Sequence, residues 1–169
     1  MQLRLRPYEA HDEKWARAGH EAMVADDFDF LLYWRPEMEW SQFLADESRR
    51  RRGDNLADNE VRSVQLAALV DGQLVGRASI RFALNDFLAQ RGGHIGYGVL
   101  PDFRRRGYAS EILRQALVII RSQAVSPVLM FCDDDNVGSA NVIERCGGAL
   151  DAVIVVDPGM PSFRRYWIN

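Results

Sequence analysis

Apolar residues recur at every second position in some stretches of the chain and at every third or fourth in others, and this change of period predicts its elements. Leu3 and Leu5 alternate with arginines as in a short edge strand. Asp12 is placed to cap a first helix running to about Val24, with Trp15, Ala18, Ala22 and Met23 on its inner side. The aromatic stretch from Phe28 to Trp40 is broken by Pro36. A second helix follows and ends at Arg49 to Arg52 before Gly53, since cations suit a last turn and glycine suits the residue after it. Two β-rich runs, Val61 to Val70 and Leu74 to Phe82, flank Asp71-Gly72, a pair preferred in two-residue hairpins. Asn85 to Gln90 reads as a short turn or helical piece closed by Gly92-Gly93, and His94 to Leu100 as a strand stopped by Pro101. Ala109, Ile112, Leu113, Ala116, Leu117 and Ile120 trace one face of a helix that reaches Ser122. A strand from Pro127 to Cys132, a helix from Asn136 to Cys146 with Gly147-Gly148 as its stop, and strands at Leu150 to Val156 and Phe163 to Ile168, around Pro158-Gly159, complete the chain. The order predicts a mixed sheet flanked by helices.

At 169 residues the chain reads as one domain, 1–169. Its 47% apolar and 27% charged residues exclude disorder over most of its length. No apolar run approaches the roughly 18 residues of a membrane span, and the start, MQLRLRPYEA, interleaves charges and cannot act as a signal peptide. A cytoplasmic protein with no membrane partner is expected. A net charge of −3 argues against a sequence-independent grip on nucleic acid. Cys132 and Cys146 form no disulfide framework and belong to no Cys/His cluster, so no metal is expected. Lys14 is the only lysine, which reads as compositional bias.

The most informative stretch is strand, proline, turn and helix: His94-Ile-Gly-Tyr-Gly-Val-Leu-Pro101, then Asp102-Phe103, then Arg104-Arg-Arg-Gly-Tyr-Ala109. Glycines inside a strand, here Gly96 and Gly98, mark places where a ligand or another backbone comes close. A helix start leaves N–H groups unpaired, and they suit a phosphate. Gly107 and Ala109 keep that surface free of bulk, and three arginines add charge-assisted contacts. The residues alone allow a phosphate cradle beside an open strand edge, or an ordinary turn with exposed arginines. A Walker A loop is excluded because no Gly-Lys-Ser/Thr follows the required spacing. A dinucleotide fingerprint is excluded because the glycines precede a proline within a strand.

Val99-x-Pro101-x-x-Arg104-x-x-Gly107-x-Ala109 resembles the signature of the GCN5-related N-acetyltransferases, and Asn136-x-x-Ser139-x-x-Val142-Ile143-Glu144-Arg145-x-Gly147-Gly148 resembles the second motif of that family. The likeness covers Val61 to Gly148, and further runs, Ile80 to Tyr97 and Arg165 to Ile168, resemble a branch of predicted bacterial acetyltransferases of unassigned substrate. The resemblance implies an α/β fold with a central mixed, mostly antiparallel sheet and helices on both faces. It implies acetyl-CoA as cosubstrate, its pantetheine arm lying along Gly98, Val99 and Leu100 and its pyrophosphate on the N–H groups from Arg105 to Ser110. Arg104, Arg105, Arg106, Gly107, Tyr108, Ala109 and Ser110 are thus expected at the cofactor, with Asn136 and Ser139 contacting its pantetheine and adenosine half. An amine of a small molecule, peptide or protein would attack the thioester directly, with a backbone N–H near Gly98 or Val99 holding the oxyanion.

The chain departs from this pattern at the acid–base positions. The family's tyrosine is replaced by Ile143, and its two glutamate positions by Phe131 and Gly93. The substitutes available on the strands are Tyr97, on the face of the missing glutamate, and His94, with the pKa of a base but on the opposite face. Asp133 and Asp134 attract a cationic amine or cap the next helix, Cys132 is a small buried residue or an acetylation site, and the acids among Asp26 to Glu39 bind an amine or stand in solvent. Arg49 to Arg52 read as a solvated helix end. Two further functions stay open: a CoA-binding regulatory module without turnover, and an acyltransferase using a longer acyl-CoA. The strand-rich C-terminus offers an edge for a homodimer.

Overall fold

A computed structural model describes residues 2–155 and 159–169. The predicted end of a strand at Val156 and the Pro158 half of the following turn lie outside the described residues. The main elements, in chain order, are β1 (Leu3–Pro7), α1 (Glu13–Met23), α2 (Trp40–Arg52), β2 (Ser63–Val70), β3 (Gln73–Arg81), β4 (Ile95–Val99), α3 (Tyr108–Arg121), β5 (Val128–Asp133), α4 (Val137–Arg145), β6 (Gly148–Ile154) and β7 (Phe163–Ile168). They form a four-stranded antiparallel sheet in the order β1-β2-β3-β4 and a three-stranded one in the order β5-β7-β6. The β4–α3–β5 crossover brings the two sheets side by side. None of the described helices is long and apolar enough to cross a membrane.

The period of two on β2 sorts the two faces. Val64, Leu66, Ala68 and Val70 meet Ile112, Leu113, Ala116, Leu117 and Ile120 of α3, while Ala67 faces Phe30, Trp40 and Phe43 on the side of α1 and α2. Each large apolar side chain buried this way contributes about 1.5–3 kcal/mol. The Asp71-Gly72 pair makes the expected hairpin, with φ of 50° and 81°. Gly53, at φ 79°, ends α2 as expected, its N–H donating to the Arg49 and Arg50 carbonyls.

Three expectations are corrected. The inner face of α1 is Ala16, Gly19 and Met23, and Trp15 is 62% exposed. The helix lies so close to its neighbours that a Cβ on Gly19 would stand 3.1 Å from Leu100 and 3.2 Å from Phe30, so only its small-residue face fits. Asp12 does not cap α1. Its carboxylate accepts from Arg6 (2.6 and 2.9 Å) and from the Glu9 N–H (2.8 Å), closing the preceding turn instead. The arginines closing α2 are not simply solvated: Arg50 is buried between Glu47 (2.7 Å) and Glu60 (3.3 Å), and Arg49 pairs with Glu60 at 2.8 Å. The Arg49 hydrogen bonds hold the Glu60 carboxyl down at about 2.

One junction joins the sheets. The His94 N–H donates to the Leu129 carbonyl at 2.8 Å, and His94 Nδ1 accepts from the Leu129 N–H at 2.8 Å. His94 is buried, and burial followed by the nearby Arg81 charge lowers its pKa, so the ring is neutral and free to accept. A lowered folded-state pKa means that the unfolded chain takes up the proton first. This contribution is therefore complete above about pH 6.5 and is lost as pH falls through the folded-state pKa. His94→Asn keeps an acceptor but removes the titration. Urea unfolding should show it less stable by about 1–3 kcal/mol at pH 7.5, with the gap narrowing at pH 5.5.

Candidate active site

Beyond the His94–Leu129 junction, β4 and β5 share no ladder of hydrogen bonds. The register of β4 decides which of its backbone groups face the opening. Arg81 N–H donates to the His94 carbonyl (2.7 Å) and Leu100 N–H to the Val75 carbonyl (2.9 Å), so residues 94, 96, 98 and 100 form the hydrogen-bonded pairs with β3. Ile95, Tyr97 and Val99 therefore direct their N–H and C=O groups toward β5. Of the two donors considered for the thioester oxygen, the Val99 N–H faces the opening and that of Gly98 is turned to β3. A cavity of about 220 Å³ occupies the divergence. Tyr97, Cys132, Asn136 and Ser139 line one part of it, and Phe28, Arg91, Gly96 and Phe163 another. Gly98 admits the Phe28 ring, which a Cβ there would meet at 2.6 Å.

The cradle lies just past the end of β4. Gly107 stands at the N-cap of α3 with φ 82°, and a Cβ there would meet nothing within 4 Å. The first hydrogen bond into this helix end runs from the Glu111 N–H to the Gly107 carbonyl at 3.2 Å, so the N–H groups of the preceding turn point outward without acceptors. The three arginines divide their tasks. Arg104 donates through Nε to the Val99 carbonyl (3.1 Å) and pairs with Asp26, bracing the turn against the end of α1. Arg106 donates to the Asp102 carbonyl at 2.9 Å. Arg105, at φ 60°, is exposed, and its guanidinium makes no such bond among the described residues. Tyr108 and Ala109 pack partly against the core, and the Ser110 carbonyl faces Cys146 Sγ at 3.8 Å. Open N–H groups, no side chain at Gly107 and nearby positive charge fit a pyrophosphate, and the outward groups of Tyr97 and Val99 fit an extended amide chain. These residues suit acetyl-CoA. Among the described residues no group of three or more His, Cys, Asp or Glu side chains is placed to hold a metal ion.

Asn136 caps α4, its Oδ1 accepting from the Ser139 N–H at 2.9 Å. Ser139 in turn holds Tyr97: the phenol Oη lies 2.8 Å from Ser139 Oγ and donates to the Ser139 carbonyl at 3.2 Å. Burial pushes the Tyr97 pKa above its ordinary value despite the Ser139 bond, so the phenol carries its proton. The Cys132 thiol is likewise pushed up by burial, to about 11, and stays a thiol. Asp134 is taken by Arg164 (2.7 Å) and Ser162 (3.0 Å), while Asp133 lines the cavity. His94 is on the far side of its strand from Tyr97, with Nδ1 engaged by Leu129.

The three departures from the familiar pattern have packing reasons. Ile143 is fully buried. Phe131 packs edge-on against Phe163 at 5.6 Å. Gly93 has φ 66°, and a Cβ there would stand 2.7 Å from the Leu129 carbonyl, so no larger residue fits beside the strand junction. Sequence reasoning missed Arg77, Ser79 and Arg81 on the other face of β3, although polar side chains at alternate positions of an otherwise apolar strand carried that signal.

An open cradle beside two diverging strands defines a CoA-dependent acyltransferase. The family model described as acetyltransferase (GNAT) domain matches residues 2–149, and the chain belongs to that family. It is an acetyl-CoA-dependent N-acetyltransferase. Among solved structures, the fold is shared with yncA from Salmonella typhimurium, whose structure holds its cofactor acetyl-CoA (15% identity, 98% of this chain and 92% of that one, TM-score 0.66). It is shared also with an N-acetyltransferase from Staphylococcus aureus (13% identity, 100% and 99% covered, TM-score 0.67). A third is the spermidine/spermine N-acetyltransferase SpeG from Vibrio cholerae, in mutant forms (14% identity, 99% and 94% covered, TM-score 0.65). No curated protein matches the chain in sequence.

The Gly107→Glu variant places a carboxylate where a pyrophosphate on these N–H groups would sit. Acetyl-CoA at a hundredfold over its Kd stabilises the native enzyme by about 2.7 kcal/mol, a shift readily visible in a thermal melt, whereas ATP gives none. The variant should lose that shift while still unfolding cooperatively, and a wild-type shift would remove the cradle from this position.

Proposed function

We propose that the chain acts as one domain, 1–169, that acetylates a primary amine entering from the Phe28 and Arg91 side of the cavity, with Tyr97 as its acid. The observation that carries this reading is the Tyr97–Ser139 hydrogen bond, which holds a protonated phenol at 2.8 Å from the first turn of α4, inside the cavity and beside the cradle. Acetyl-CoA, when bound, supplies an acetyl group activated as a thioester and leaves as the thiol. The N–H groups from Arg105 to Ser110, with the Arg105 guanidinium, bind the pyrophosphate end, and Asn136 holds Ser139 and the α4 end in place. Arg104 fixes the direction of the strand end through the Val99 carbonyl, leaving the Val99 N–H as donor for the carbonyl oxygen. Tyr97 Oη holds the proton that a departing sulfur requires. With Phe131 and Gly93 at the two alternative base positions, the amine loses its proton to water at the cavity mouth, and positioning carries much of the rate. His94 acts on geometry, through the strand junction, rather than on protons.

The cytoplasmic reading follows from the donor, an intracellular metabolite, and from two cysteines present as free thiols. A second copy of the chain would seat on the edge strand β6, where Leu150 and Val153 are exposed. Thiol release from acetyl-CoA in the presence of an amine panel tests the activity, and no release with any amine would leave a binding module. Tyr97→Phe should lower kcat by about 10²-fold, with the acetyl-CoA thermal shift kept. An unchanged rate would take the tyrosine out of the reaction.

A further inference from the structure

On the acceptor side of β4 the chain holds two guanidinium groups, Arg77 buried and Arg81 half-buried, that form no ion pair among the described residues. Arg77 is 4% exposed. Its Nη1 donates to Ser79 Oγ at 2.9 Å and, at a long 3.4 Å, to the Gly96 carbonyl; its Nη2 donates to the Asp29 carbonyl at 2.7 Å. Its Nε is buried with no acceptor among the described residues. Among the described residues Arg81 makes two marginal contacts, to the Gly92 and Gly93 carbonyls at 3.4 and 3.5 Å. The nearest acids, Glu47 and Asp29, act on Arg77 through space without forming an ion pair with it. Glu47 pairs with Arg50 at 2.7 Å and accepts from Gln65 at 2.8 Å. The Asp29 carboxylate lies toward His20 at 3.8 Å, and Asp133 stands on the opposite wall of the cavity, which Arg91 also lines.

Both arginines converge on one spot. A Cβ built on Gly96 would stand 3.1 Å from Ser79 Oγ, 3.5 Å from Arg77 Nη1 and 3.7 Å from Arg81 Nη1. Gly96 lines the cavity, so the absence of a side chain there opens this cluster to the acceptor space. Phe28 covers its far side, its ring centroid 4.6 Å from the Arg77 guanidinium carbon. Burying a cation without a counterion is costly, and water is a poor substitute in an apolar site. Two guanidinium groups and a hydroxyl match the two oxygens of a carboxylate, which guanidinium binds with charge-assisted hydrogen bonds.

We infer that the acceptor is an amine that carries a carboxylate, an amino acid or a related small amino-carboxylate, and that Arg77, Ser79 and Arg81 bind that carboxylate over Gly96. The inference rests on the acetyl-transfer reading above and narrows its substrate class. The ammonium end then faces Asp133 and the Val99 side of the cavity, and a polyamine, which has no anion to offer, is a poor acceptor.

The test compares matched probes on the intact enzyme: alanine, β-alanine and γ-aminobutyrate, their three carboxamides, and spermidine. The expected kcat/KM is about tenfold or more higher for at least one acid than for its amide, as the loss of a charged hydrogen-bond partner implies. Arg81→Met should bring that ratio to about one through the KM for the amine, leaving the KM for acetyl-CoA within about twofold. Gly96→Ala, which fills the pocket while both arginines stay in the chain, should do the same if the Arg81 variant does not fold. Equal rates with acids and amides, or a preference that survives both substitutions, would overturn the inference. Calorimetric titration of the same acids and amides into the CoA-bound enzyme separates the two levels. Carboxylate-dependent binding without turnover would sink the acetyl-transfer reading and keep the pocket; turnover of amides or spermidine with no carboxylate-dependent binding would do the reverse.

Discussion

The N–H of His94 reaches the Leu129 carbonyl, and the His94 ring accepts the Leu129 N–H, both at 2.8 Å. This reciprocal pair ties the start of β4 to β5. Past it, the strands are free to separate, because the next groups of β4 that face β5, those of Ile95, Tyr97 and Val99, are not taken up in a ladder. Unpaired backbone groups inside a fold are expensive unless something arrives to bond them. The gap between the sheets is thus a ligand site by construction. Burial keeps the ring neutral and able to accept, so one histidine sets the geometry of the site.

The junction also dictates the acid–base inventory. Leu129 is drawn so close that Gly93 has no room for a Cβ, and a glutamate at that position would collide with the carbonyl that holds the strands together. On the opposite wall, Phe131 packs edge-on against Phe163, and Ile143 lies in the core beneath α4. What enters the cavity in their place is a phenol from the middle of β4, gripped by Ser139 from the first turn of α4. The phenol hydroxyl inside the cavity thus comes from the strand, while the helix position at Ile143 is turned into the core.

Much of this was legible in the chain. The DG hairpin, the glycine-ended α2 and the apolar face of α3 are local signals, and each element formed where its pattern placed it. The cradle was legible for the same reason: a helix start, a glycine and a cluster of arginines are adjacent in sequence. What the sequence withheld depends on partners far along the chain. Arg104, written among phosphate ligands, is spent on Asp26 and the Val99 carbonyl, which only the approach of α1 explains. Arg50 finds Glu60 across a loop, and Trp15 faces solvent because Gly19 must meet Phe30. The choice between Gly98 and Val99 as donor is a matter of strand parity, fixed by the β3 register and invisible in the motif.

The two sets of arginines differ in what they say about ligands. Those near Gly107 are exposed, and an exposed cation is so well hydrated that its presence alone argues little. Their meaning comes from the backbone N–H groups beside them. Arg77 and Arg81 are the opposite case: burial lowers the pKa of both, to about 10 for Arg77, and the hydrogen bonds that each makes among the described residues go to neutral acceptors, with Asp29 and Glu47 acting on Arg77 only through space. A purely structural task in this position, bridging two strands, is one that an apolar side chain fulfils at lower cost. Their retention between β3 and β4, next to a glycine that leaves the space above it open, therefore makes more sense as unfinished electrostatics completed by a substrate. In the proposed reading the turn after β4 offers backbone donors to a phosphate and β3 offers side-chain donors to a carboxylate, so the two reactants would meet from either side of the short strand whose gap His94 keeps open.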